Sequence, residues 1–378
     1  MSARWARRRL ITGLAAVLLS PVLAVFLTVP VVQADPLDPI PATTLQVPPS
    51  VLIGEDVAFD VSFVNDSPSV TGYGPYVDLT LPLGHDGDDG LTFSSATYLG
   101  APVTAVQLIA DAFGNVTHPY ALDSSGAPVV IHGLAVGQSY VVLRLPFGSF
   151  TPGQPKAVVH VTTHMSANAN VGWPLTIGAD GGFQFGRTPL NDPTSGDPST
   201  LGAPTTADVT PTIMLVTKTY NGPEHETATG PNFPQSYTII ATVAPGQTVT
   251  DLTLADTLPN NMQYLSIDAT TPGSSVVSTP AAGVPGGVLS RNFGTVIGTG
   301  GEDARFTFHF YIPRLDAASA AVLPPDSGAF RDSIDNATAE ADWFPIDVRD
   351  REVDPTHVSA APASDTLHDK SVDRKSVV

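Results

Sequence analysis

Glycine and proline punctuate this chain throughout, 33 and 36 of its 378 residues. Between them the apolar residues alternate instead of recurring every three or four positions. Long helices are disfavoured by that spacing, and many short strands joined by turns are favoured. Val57, Phe59, Val61 and Phe63 share one parity, as a half-buried strand requires. Tyr76 to Leu81 and Val158 to Val161 repeat the style, and Tyr140 to Leu145 is nearly continuous, as in a strand buried on both faces. Turn signals such as Asn65-Asp66-Ser67-Pro68 and Asp123-Ser124-Ser125-Gly126 separate them. Residues 188–209 (TPLNDPTSGDPSTLGAPTTADV) carry almost no large apolar side chain and read as a linker. A second strand-rich block follows, with Ile213 to Tyr220, Ser236 to Val243, Val249 to Leu258 and Phe306 to Ile312.

The N-terminus points to export. Arg4, Arg7, Arg8 and Arg9 precede an apolar run from Leu10 to Val32, and Val32-Gln33-Ala34 has the small-residue ending of a signal peptide, which makes residues 1–34 the leader. The run is also long enough to span a bilayer, so an uncleaved anchor is the alternative and the one predicted route to a membrane. Without the four leader arginines the formal charge of −19 becomes −23. Such a surface repels phosphate and anionic lipid, which argues against nucleic acid or a membrane surface as partner. The chain has no cysteine. An exported protein of this size must then be held by its cores or by a cross-link of another kind.

The two blocks share an order of features: an alternating strand, then Thr-Leu-Pro (Thr80-Leu81-Pro82; Thr257-Leu258-Pro259), then a tyrosine-bearing segment (Tyr98; Tyr264). Regular strands with intervening turns predict two tandem Ig-like β-sandwich domains, an all-β fold, over residues 45–187 and 210–345. The second block runs Lys218-Thr219, Ser236-Tyr237-Thr238-Ile239-Ile240, Asp256-Thr257-Leu258-Pro259 and Asn336-Ala337-Thr338. In this it resembles the DUF11 or isopeptide-forming fimbrial-type repeat domains of bacterial surface proteins; residues 45–187 resemble them only loosely. The resemblance implies a sandwich used as a stalk or adhesion unit, secreted or on the cell surface, with the cell envelope or other surface-protein repeats as partners and no enzymatic activity. It also implies an intramolecular Lys–Asn isopeptide bond in some members. Residues 346–378 form a tail in which Thr366 to Val372 reads as the opening strand of a further repeat, and the absence of an anchor after it suggests a truncated product.

By that resemblance Lys218 and Asn336 are the cross-linked pair, with Asp256 as the proton relay. Such a bond needs a neutral amine, a polarised carboxamide and a buried acid that keeps its proton. Strand parity can be checked against this. Asp256 is in step with Leu252, Leu254 and Leu258, and Lys218 with Met214, Val216 and Tyr220, so both point inward. Asn336 is in step with Ile334 but also with Thr338 and Glu340, which leaves its direction open. Only four lysines are present, Lys156, Lys218, Lys370 and Lys375, and the first block has none in its opening strand.

Other clusters are less specific. Asp86, Asp88 and Asp89 in a glycine-rich turn resemble part of a Ca2+ loop but lack its full pattern, so a calcium- or carbohydrate-binding module is the alternative reading. No other cofactor is implied. His160 and His164 share a strand parity without a third zinc ligand. Asn115-Val116-Thr117 and Asn336-Ala337-Thr338 are formal glycosylation sequons. Motifs of hydrolases, zinc proteases and nucleotide-binding loops do not occur.

Overall fold

A computed structural model describes residues 38–87, 90–189, 198–222, 230–320, 333–345 and 355–367. The leader, Asp88, Asp89, Lys370 and Lys375 lie outside the described residues. Every regular element among those described is a β-strand, as the alternating pattern requires. Two pairs of sheets follow one another along the chain.

In the first pair, a five-stranded sheet has the order Pro41–Gln46, Asp56–Asn65, Ala157–Met165, Leu91–Tyr98, Ala101–Pro102. It faces a sheet with the order Ser50–Leu52, Thr205–Thr212, Leu175–Phe183, Pro75–Leu81, Ser139–Arg144, Thr104–Ile109. Val57, Phe59, Val61 and Phe63 all point into the space between. Phe63 is its centre: it meets Phe150 and Phe183 edge-on at 5.3 and 5.4 Å. Gly181 leaves that room, since a Cβ there would come within 2.8 Å of the Phe63 ring.

The sheet containing Pro75–Leu81 has a second core on its other face. A hairpin of Val116–Leu122 and Pro128–Ile131 lies over it, and Tyr76, Tyr140, Val142, Val116 and Ala121 form a separate buried cluster there. Pro75–Leu81 and Ser139–Arg144 are thus covered on both faces. That is why Tyr140 to Leu145 reads as continuous apolar sequence.

The second pair consists of a four-stranded sheet, Met214–Tyr220, Gln235–Val243, Ala304–Tyr311, Gln263–Ile267, and a larger one. The larger follows the order Ser275–Ser278, Gly287–Asn292, Thr248–Leu258, Ser333–Trp343, His357–Ser359. Ala363–Leu367 also pairs with Ser333–Trp343, so these tail residues join this sheet instead of starting a new unit. Phe306, Phe308 and Phe310 alternate inward from the smaller sheet.

The boundary between the two pairs differs from the sequence expectation. Residues 205–209, read as linker, begin a strand that pairs antiparallel with Leu175–Phe183 and parallel with Ser50–Leu52. Its threonines suit a pleated edge better than their polarity suggests, and Thr43 and Thr205 hydroxyls meet at 3.1 Å. Only Ile213 separates Thr212 from Met214, and it is buried, its carbonyl accepting from Ala244 N at 2.8 Å. Replacing Phe63 with alanine empties the first core at its densest point. A loss of about 3–5 kcal/mol is expected, read as a lowered urea midpoint at unchanged slope.

Candidate functional site

Lys218 sits on the first strand of the second pair of sheets, Met214–Tyr220, and its side chain crosses to the larger sheet. Its Nζ donates to Asp256 Oδ2 at 2.5 Å and lies 2.6 Å from Asp335 Oδ2. All three side chains are 0 % exposed. Tyr237 and Phe308 form an aromatic floor, with Nζ 4.3 Å and 5.7 Å from their ring centroids. An ammonium over ring faces in a dry site is itself favourable.

The larger sheet places the two acids. On Thr248–Leu258 the inward set is Val249, Leu252, Leu254, Asp256 and Leu258. On Ser333–Trp343 it is Asp335, Ala337, Ala339 and Ala341. Asp256 lies opposite Ala337 in the register, so Asp335 is its diagonal neighbour on the same face. Burial, and then the Asp335 charge beside it, push the Asp256 carboxyl well above the usual carboxylate range, against the opposing pull of Lys218. A carboxyl so raised and so fully sealed from solvent is the one that binds a proton more readily. Asp256 is therefore the member that keeps a proton.

Lys218 and Asp256 thus lie where parity put them, whereas Asn336 does not join them. It lies opposite Thr257 with its side chain exposed, one residue out of phase with the core. Asp335 occupies the place expected for it. The sequence signal was the alanine series at 337, 339 and 341, small residues that let the facing sheet approach; the exposed Ile334 obscured it.

The remaining candidates are dispersed. Asp86 is exposed in a turn whose backbone N–H groups donate to Asn170 Oδ1. No group of three or more metal-ligating side chains occurs among the described residues. His160 and His164 are on one strand face but roughly 13 Å apart by strand rise, and each pairs with its own aspartate, Asp60 and Asp56. Trp343 is core, donating to Gln247 Oε1, while Trp173 stacks on His85 at 3.7 Å with its edge exposed.

Sequence reading missed a second buried acid cluster, beneath the first pair's hairpin. Asp78 and Asp180 are direct cross-strand partners. His118 Nδ1 accepts from the Tyr120 and Ala121 backbone N–H groups, so its proton is on Nε2, which donates to Asp78 Oδ1 at 3.1 Å. Tyr140 also hydrogen-bonds Asp78. Burial and the Asp78 charge raise Asp180 to about 7.

No family model matches the chain, and no curated protein matches it in sequence. Solved structures are similar only remotely. The full-length major pilin SpaD of Corynebacterium diphtheriae is 9 % identical, over 81 % of this chain and 66 % of the pilin, with a TM-score of 0.28. A putative membrane anchored protein of the same organism is 11 % identical, over 86 % of this chain and 95 % of that one, with a TM-score of 0.22. A cohesin module from a Clostridium perfringens family 33 glycoside hydrolase is 7 % identical, over 46 % and 96 %, with a TM-score of 0.27.

Two outcomes follow from the buried acids. Lys218→Met strands two sealed carboxyls and is expected to destabilise the chain by about 3–5 kcal/mol in chemical denaturation. For Asp180, the folded value near 7 exceeds the ordinary 3.8, so between these the folded state holds the extra proton and stability falls as pH rises. Asp180→Asn should therefore raise the urea midpoint relative to the parent more at about pH 8 than at about pH 5.

Proposed function

We propose that this chain is an exported structural or adhesive protein of the cell surface, whose second pair of sheets is locked by an intramolecular isopeptide bond between Lys218 and Asp335, with Asp256 as proton relay. One observation carries the reading: a lysine and two aspartates, fully sealed, joining the first strand of one sheet to a central strand of the facing one. A buried ion pair alone is a poor stabilising device, because desolvation offsets most of its attraction. The same three groups are well suited to reacting.

The atoms balance without any outside reagent. The Lys218 ammonium and the Asp335 carboxylate together contain one amide and one water. A proton passes from Nζ to the acid pair, and the freed lone pair adds to Asp335 Cγ. The proton held by Asp256 is offered to the Asp335 oxygen as the nitrogen attacks, which draws charge from the carbon under attack. Asp256 then takes a proton from nitrogen and returns one to the departing oxygen. The C–N bond forms, the C–O bond breaks, and water leaves. A site that excludes water favours this dehydration. Asparagine would release ammonia; aspartate at 335 makes the leaving group water.

The product serves the proposed role. Cross-linking early and late strands constrains the unfolded chain, worth about 2–4 kcal/mol by analogy with disulfides. It also supplies the covalent staple that a cysteine-free exported chain lacks. The event is a single self-modification, so it needs no substrate pocket. The proposed partners are the cell envelope and neighbouring surface-protein repeats.

Intact-mass measurement tests the bond. The mature chain should be lighter than its sequence by one water, and Lys218→Ala should show no loss. Asp335→Asn should instead lose one ammonia, whereas Asn336→Ala should lose water as the parent does. A parent chain at its full sequence mass would rule the bond out.

A further inference from the structure

Tyr237 connects the lysine site to the last described strand. Its side chain is wholly buried, so its hydroxyl needs a partner within the protein. That partner is Asp365 Oδ2, at 3.0 Å. Burial and the Asp365 charge hold the Tyr237 pKa above its ordinary value, so the phenol keeps its proton and donates a charge-assisted hydrogen bond. The ring stacks on Phe310 at 5.2 Å and 10° and meets Tyr220 edge-on at 5.5 Å. Gripped on its face and tethered at its oxygen, the ring has one orientation beneath Lys218 Nζ.

Asp365 belongs to Ala363–Leu367, which among the described residues pairs with Ser333–Trp343 alone. In that register Asp365 lies directly opposite Asp335. Asp335 is thus flanked on its sheet by Asp256 on one neighbouring strand and Asp365 on the other. The closing strand covers the edge beside the reacting carboxyl and supplies the anchor for the aromatic floor. It is also the last of these elements to be synthesised, so the site is incomplete until it docks.

We infer that Asp365 is a positioning residue for the Lys218–Asp335 cross-link, acting through Tyr237, and that docking of Ala363–Leu367 sets when the bond forms. The inference rests on the isopeptide reading above. Its physical basis is that bond formation demands a near-attack geometry, and a displacement of about 1 Å costs on the order of 10²-fold in rate. Releasing the phenol frees the ring that defines where Nζ rests.

The test follows water loss in time. The full chain is synthesised in a short pulse, samples are quenched in acid, and intact mass gives the fraction cross-linked for the parent, Asp365→Ala, Asp365→Asn and Tyr237→Phe. Asp365→Ala and Tyr237→Phe should slow the loss by roughly 10- to 100-fold. Asp365→Asn, whose carboxamide oxygen still accepts from the phenol, should restore a rate near that of the parent. A merely structural contribution of the strand would not be lost in Tyr237→Phe, which keeps ring and strand alike, so this variant decides the matter if Asp365→Ala does not fold. Parent-like rates in Tyr237→Phe, or an Asp365→Asn rate as slow as Asp365→Ala, would overturn the positioning role and leave the cross-link standing. A parent that never loses water overturns both.

Discussion

One ammonium held between two carboxyls, all three side chains sealed from bulk solvent, governs the second half of this protein. Removing the lysine leaves two sealed acids facing each other; removing Asp335 leaves the ammonium without its ionised partner. The neighbouring design choices follow from that arrangement. Alanines at 337, 339 and 341 keep the facing sheet close enough for the Lys218 stem to cross. Tyr237 and Phe308 supply ring faces where water would otherwise have to sit. The closing strand seals the edge and brings the partner of the buried phenol.

The first half shows how finely such a site depends on parity. Leu81 and Leu258 both end a strand at a proline and both point into a core. Asp256 stands two residues before its leucine and shares its face, whereas Asp78 stands three before and faces the other way. It therefore enters the smaller core beneath the hairpin, where it meets His118, Tyr140 and Asp180 and no lysine. A shift of one residue separates an acid that faces Lys218 from an acid pair that faces no lysine.

Much of this was legible in the residues. Most of the expected alternating segments lie within a residue or two of a strand, because alternation reports directly on a face buried against another sheet. Val158 to Val161 marks only part of Ala157–Met165, and Leu175–Phe183 and Ser333–Trp343 went unmarked. Lys218 and Asp256 were legible for the same reason. Asp335 was not: its strand alternates alanine against isoleucine, threonine and glutamate, and the larger apolar residue is on the solvent side. The strand at Thr205–Thr212 was hidden because an edge strand can be held by backbone pairing and threonine hydroxyls with little apolar content. Asp180 was invisible because its pairing with Asp78 joins segments remote in sequence, and nothing in either segment alone marks the contact.

The buried single-residue joint at Ile213 has a consequence for reach. A polypeptide of glycine and serine between two units would let them swivel, so that the span covered by the protein would fluctuate with thermal motion. Here the strand ending at Thr212 passes almost directly into the strand that carries Lys218. The residues beside the joint are tied across it, Ile53 N to Thr212 O and Gln247 Nε2 to Ala167 O. Swivelling at this point would expose Ile213 and break those bonds. The angle between the two halves at this joint is thus set by buried packing and backbone pairing and not by a random coil.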